Sequence, residues 1–77
     1  MNDAKKIILP GFRREKASAI KPGEHVALWG PEGTTVTAEV KSVVSGPQST
    51  GIVVLRDDTG EPVAAVFAHE FLLQVKE

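Results

Sequence analysis

Apolar and polar residues alternate most cleanly over residues 34–45, TTVTAEVKSVVS. There Val36, Ala38, Val40 and Val44 fall on one face, and Thr35, Thr37, Glu39 and Lys41 on the other. Successive side chains of an extended chain point to opposite sides, so a period of two marks a strand with one buried face. Clusters of turn-forming residues cut the rest of the chain at short intervals: KPGE at 21–24, GPEG at 30–33, SGPQSTG at 45–51 and DDTGEP at 57–62. Proline holds φ near one value and glycine admits positive φ, so such clusters end regular elements. The runs between them have the length of strands rather than helices. Short strands at regular spacing predict a small all-β sandwich or barrel.

The expected elements are a strand over Glu24–Trp29, the alternating strand over 34–45, and two strands, GIVVLRD and PVAAVF, facing each other across DDTG. Gly60 suits the left-handed position of that hairpin. The last segment, AHEFLLQV, reads as one tight turn followed by a closing strand. A helix from Pro62 onward is the alternative. Thr59 or Asp58 would cap it, Pro62 would occupy its first turn, and Ala, Glu, Leu, Gln and Lys favour it. Strand plus turn is the reading adopted, because the Val- and Ile-rich run ahead of it needs a pairing partner.

The strands flanking DDTG do not alternate. Ile52, Val53, Val54 and Leu55 are all apolar, as are Val63, Ala64, Ala65, Val66 and Phe67. A strand without alternation is covered on both sides. If Ile52, Val54, Ala65 and Phe67 face the core, then Val53, Leu55, Ala64 and Val66 form an outer apolar patch, or the reverse. Three occupants would cover it: a second copy of the chain, the IILPGF segment at 7–12, or a different protein.

Length and charge refine this picture. The chain has 77 residues and no cysteine, so it forms one small domain without disulfides or thiolate metal sites. Residues 1–21 carry six basic side chains against two acidic ones, a net of +4. Residues 22–77 carry three against eight, a net of −5. This asymmetry divides the chain into a basic, partly apolar N-terminal arm at 1–18 and an acidic body at 19–77. The arm's Lys5, Lys6, Arg13 and Arg14, with Lys16 and Lys21, are the candidate nucleic-acid contacts. The acidic body would repel a phosphate backbone, and the apolar residues among the arm's charges favour packing against the protein itself. Ile7-Ile8-Leu9 is too short for a signal-peptide core or a membrane span, so the expected setting is cytoplasmic and soluble, with no membrane association.

Candidate chemistry is sparse. A small barrel fills its interior with side chains, which leaves loops, outer grooves and subunit junctions as places for a site. His25 and His69, each beside a glutamate, lack the spacing of a zinc site and read as surface histidines. Asp57, Asp58 and Glu61 lack the repeated oxygen ligands of a calcium loop. The serines and threonines have no paired base, and GPEGTT has neither the spacing nor the lysine of a phosphate-binding loop. No catalytic residue, metal site or cofactor is assigned. Trp29 is the most suggestive side chain: it would either cap one end of the core or anchor a partner.

A Pro-Gly turn into a strand, a long alternating strand, a hairpin and a single turn before a final strand together resemble the SH3-like small barrels, including the KOW-type ribosomal and transcription modules. IKPGEHVAL, TAEVKSV and PVAAVFAHEFLLQV carry the resemblance, over about residues 20–76. It implies a five-stranded SH3-like barrel with an extended N-terminal arm. The chain is also similar to the plasmid-encoded type II dihydrofolate reductases, short chains with a loose arm that assemble around a central pore. The Val-Gln-Ile-Tyr stretch lining that pore corresponds here to Val63-Ala64-Ala65-Val66 or Ala64-Ala65-Val66-Phe67. Neither frame has the glutamine or the tyrosine, so the resemblance implies a mode of assembly rather than the reductase chemistry. The expected function is non-catalytic binding, by self-association or as an adaptor, through Trp29, Val53, Leu55, Ala64 and Val66. The basic arm is the alternative route, to nucleic acid.

Overall fold

The computed structural model describes residues 9–29 and 35–77. Its elements are β1 (Phe12–Lys16), a 3-10 turn (Ala17–Ala19), β2 (His25–Trp29), β3 (Thr35–Ser45), β4 (Ser49–Arg56), β5 (Pro62–Ala68) and β6 (Leu72–Lys76). All six strands belong to one antiparallel sheet in the order β1-β6-β2-β3-β4-β5. The described part of the protein is therefore all-β. It has six strands where five were expected, because residues 12–16 of the basic segment pair with β6, Phe12 opposite Lys76 and Lys16 opposite Leu72. The sheet is not closed: no ladder joins its end strands, β1 and β5, among the described residues.

The turns form where proline and glycine mark them. Gly23 and Gly60 both take positive φ, +96° and +76°, a region open to glycine because it lacks a Cβ. Gly60 N–H donates to the Arg56 carbonyl at 2.7 Å and Arg56 N–H to the Glu61 carbonyl at 2.9 Å, closing the β4–β5 hairpin. The SGPQSTG break is shorter than its composition implied, since β4 starts at Ser49. The GPEG turn lies outside the described residues. From Pro62 onward the chain is strand, turn, strand, with Phe71 N–H donating to the Ala68 carbonyl at 3.0 Å. Phe67 and Phe71 stack across that turn, their ring centres 5.2 Å apart.

With one sheet and no α-helix among the described elements, the inward face of the sheet packs on itself. Val26 of β2, Ala38 and Val40 of β3, Ile52 and Val54 of β4, and Leu73 and Val75 of β6 form the buried core with Ala17 and Ile20. Leu28, Val43, Val63, Ala65 and Phe67 pack against its margin. The 3-10 turn closes one end: Ala17 N–H donates to the Phe71 carbonyl at 2.8 Å and Ser18 N–H to the His69 carbonyl at 3.2 Å.

One sequence expectation is corrected inside β3. Val40 pairs with Val54, but Ser42, not Lys41, pairs with Val53, so a bulge sits at Lys41. An extra residue in one strand bends it and shifts every following side chain to the opposite face. Val43 therefore turns inward opposite Ile52, and Val44, placed on the core face by strict alternation, is 68% exposed.

Ile52 and Val44 thus make a discriminating pair. Ile52→Ala empties fully buried volume and is expected to cost about 2–5 kcal/mol. Val44→Ala is expected to change stability by less than about 0.5 kcal/mol. Urea unfolding of both variants checks the difference.

Candidate functional site

The β3–β4–β5 register lines up the outward side chains in rows. Val44, Gly51 and Val66 form one row; Ser42, Val53 and Ala64 the next; Glu39, Leu55 and Pro62 the third. Between them run the inward rows Val43–Ile52–Ala65 and Val40–Val54–Val63. Four of the residues singled out in the sequence are therefore neighbours on one outer surface, Val53 directly opposite Ala64 and Leu55 beside Pro62. Val66 is 72% exposed, and Val53 and Ala64 are also exposed. Val44 joins this surface through the bulge, a member that alternation alone could not reveal. Gly51 leaves a step in the row between Val44 and Val66, where a Cβ would make only ordinary contact, 4.0 Å from Val66 Cγ2. β5 carries no charged side chain over its seven residues.

Trp29 stands apart from these residues. It pairs with Thr35 at the far end of β2 and is 51% exposed, so it does not cap the core as a lone tryptophan in a small domain is expected to do. It lines a separate cleft of about 390 Å³ with Arg14, Glu70, Phe71, Leu72, Leu73 and Gln74. Gln74 is buried on the floor of that region, its Oε1 accepting from Leu9 N–H at 2.7 Å.

The basic candidates separate as well. Lys5 and Lys6 lie outside the described residues. Arg13 reaches Glu24 at 2.9 Å and Glu15 at 3.5 Å, and Lys16 reaches Glu70 at 3.0 Å. Arg14 lines the cleft, and Lys21 is exposed in the first turn. Arg13 and Lys16 are thus committed to carboxylates of their own chain, a use of the segment's charge that composition could not foresee.

The two histidines occupy different sites. His25 Nδ1 lies 3.1 Å from Asp57 Oδ2, on the surface. Partial burial raises the Asp57 carboxyl, but hydrogen bonds from Thr37 and His25 outweigh it and hold the group below its ordinary value. The carboxylate lies between hydroxyl and imidazole, which is not the hydroxyl–imidazole–carboxylate order of a nucleophile relay. His69 is no simple surface histidine. It is half-buried, with Nδ1 2.8 Å from Thr50 Oγ1 and Nε2 3.0 Å from the Gly46 carbonyl. A carbonyl only accepts, so Nε2 carries a proton, and in the neutral ring Nδ1 accepts from the Thr50 hydroxyl. That arrangement satisfies a fully buried threonine and ties the β5–β6 turn to the β3–β4 hairpin. Among the described residues no group of three His, Asp or Glu side chains is placed to hold a metal ion, and no helix is long and apolar enough to cross a membrane.

Two outcomes follow. His69→Ala strands the Thr50 hydroxyl and is expected to cost about 1–3 kcal/mol; adding Thr50→Val should recover part of that loss in urea unfolding. At the hairpin tip, hydrogen bonding and charge from Arg56, 2.7 Å away, hold Asp58 below its ordinary 3.8. The native state therefore takes up the proton at lower pH than the unfolded chain. The pair's small contribution to stability is complete above the unfolded value and is lost as pH falls through the lower native one. A carboxyl titration by NMR should place Asp58 below 3.8 and return it toward 3.8 in Arg56→Ala.

Set against protein-family models, curated proteins and solved structures, the chain matches none.

Proposed function

We propose that the protein is a non-catalytic interaction module that self-associates through the outer face of β4 and β5. The observation carrying this reading is the row arrangement of Val44, Val53, Leu55, Ala64 and Val66, exposed or half-exposed on one surface. Contiguous apolar surface of a few hundred Å² on a soluble domain marks a contact site. At about 25 cal/mol per Å², covering about 400 Å² contributes on the order of 10 kcal/mol before ordering costs. That is comparable with the whole folding stability of a domain this small.

The SH3-like resemblance read over residues 20–76 falls on β2 to β6, ordered β6-β2-β3-β4-β5 in a sheet that is not closed, with β1 added beside β6. Such a barrel offers its partners outer faces and edges rather than an internal pocket. The internal ion pairs of Arg13 and Lys16 weigh against the basic segment as a phosphate-binding arm.

Sedimentation of the pure chain over a range of concentrations tests the reading. Mass is expected to rise with concentration, and Val53→Lys, placing a charge where the native side chain is already exposed, should weaken association at least about tenfold, or about 1.4 kcal/mol. A strictly monomeric wild-type chain at about 1 mM, where even contacts of about 4 kcal/mol would register, overturns it.

A further inference from the structure

The outer face ends at β5, and among the described residues no ladder covers the outer side of the β5 backbone. In the order β1-β6-β2-β3-β4-β5, β5 has β4 as its only hydrogen-bonded neighbour among the described residues. The Arg56 N–H bond to the Glu61 carbonyl makes that pair a bonded one. Bonded and non-bonded pairs alternate along an antiparallel ladder. Val54–Val63, Ile52–Ala65 and Thr50–Phe67 are then the bonded pairs of the register. The backbone groups of Pro62, Ala64, Val66 and Ala68 consequently point away from β4, toward open edge.

Both ends of that edge are stopped. Pro62 has no N–H to offer. Beyond Ala68 the chain turns, and the His69 carbonyl is taken by Ser18 N–H at 3.2 Å. What remains is three outward residues, Ala64, Val66 and Ala68, each with an N–H and a carbonyl. The Ala68 carbonyl accepts one bond from Phe71 N–H and keeps a second lone pair.

We propose that this edge is a self-pairing site: a second copy lays its own β5 antiparallel against it across a two-fold axis at Val66. This rests on the self-association reading and specifies its geometry. Several observations select a second copy. A strand whose bonding residues are symmetric about their midpoint is complementary to itself: Val66 meets Val66 of the other copy, Ala64 meets Ala68, and Ala68 meets Ala64. Shifting the register by two residues leaves one outward residue opposite Pro62 or opposite the turn. β5 carries no charge, so the two-fold brings no like charges together. The opposite edge, β1, carries Arg13, Arg14, Glu15 and Lys16, the charged blunting that protects an edge from pairing. Joining at β5 also runs the Val44–Gly51–Val66 row of one copy into that of the other, making the outer apolar face continuous across both. An interface of this kind closes on itself at two copies.

Amide hydrogen exchange of the wild-type chain, read by NMR at about 10 μM and about 1 mM, decides the matter. Ala64, Val66 and Ala68 amides should exchange at least about tenfold more slowly at the higher concentration. The Val66→Pro variant removes one outward N–H without touching the β4 ladder, as edge positions tolerate, and should abolish this protection and sediment as a smaller species. Val66→Lys, with two ammonium groups meeting at the axis, serves if the proline variant loses its β circular dichroism. Val53→Lys, which weakens association, should move the edge protection to about tenfold higher concentration without abolishing it. If the chain associates while the three amides exchange freely at both concentrations, edge pairing is overturned and the face reading stands. If the chain stays monomeric at about 1 mM, both are overturned.

Discussion

A single sheet has to act as its own second layer. No α-helix among the described elements covers the apolar side, so burial of Val26, Val40, Ile52, Val54 and Val75 depends on the strands curling until one inner face meets another. The bulge at Lys41 is the local device for that bend. It lies in the middle of the longest strand, between the residues that pair with β2 and those that continue only with β4. An extra residue there increases twist and turns the second half of β3 over. The core, the 3-10 closure and the identity of the outer face all follow from this turn.

The curl explains why the N-terminal segment is more than an appendage. β6 has one edge on β2, and its other edge would be open without residues 12–16. β1 covers it with a ladder of five residue pairs and adds Arg13–Glu24 and Lys16–Glu70 across the surface. Surface ion pairs of this kind contribute at most about 1 kcal/mol each. Their larger effect is on accounting of charge, since they direct basic side chains to the protein's own carboxylates. The two ends of the sheet are thereby unlike: one charged and tied inward, the other apolar and, among the described residues, without a ladder on its outer side.

Several polar contacts among the described residues tie turns and loops together. His69 satisfies Thr50 in the core margin and links two turns. The Asp57 carboxylate accepts from the Thr37 hydroxyl and meets the His25 imidazole, anchoring the start of the β4–β5 loop. What stands out is apolar surface: the β4–β5 face and the cleft beside Trp29, on different parts of the sheet.

Much of this was legible in the linear chain. Turn residues bounded β2, β4 and β5 closely, because the backbone limits of proline and glycine act locally. The division of these strands into Ile52, Val54, Ala65 and Phe67 on one face and Val53, Leu55, Ala64 and Val66 on the other followed from period two, which a strand without bulges obeys; which set is buried came from the fold. Three things needed the fold. Residues 12–16 are short and charged, and only the vacant edge of β6 makes them a strand. Val44 faces outward because a bulge, which has no strong local signature at Lys41, reverses the pattern after Val40. Trp29 is exposed because burial depends on which face of β2 meets the core, and Val26 and Leu28 already hold that face. Local backbone preference is written in the chain residue by residue, whereas pairing, bending and the choice of inner face are settled only when distant strands meet.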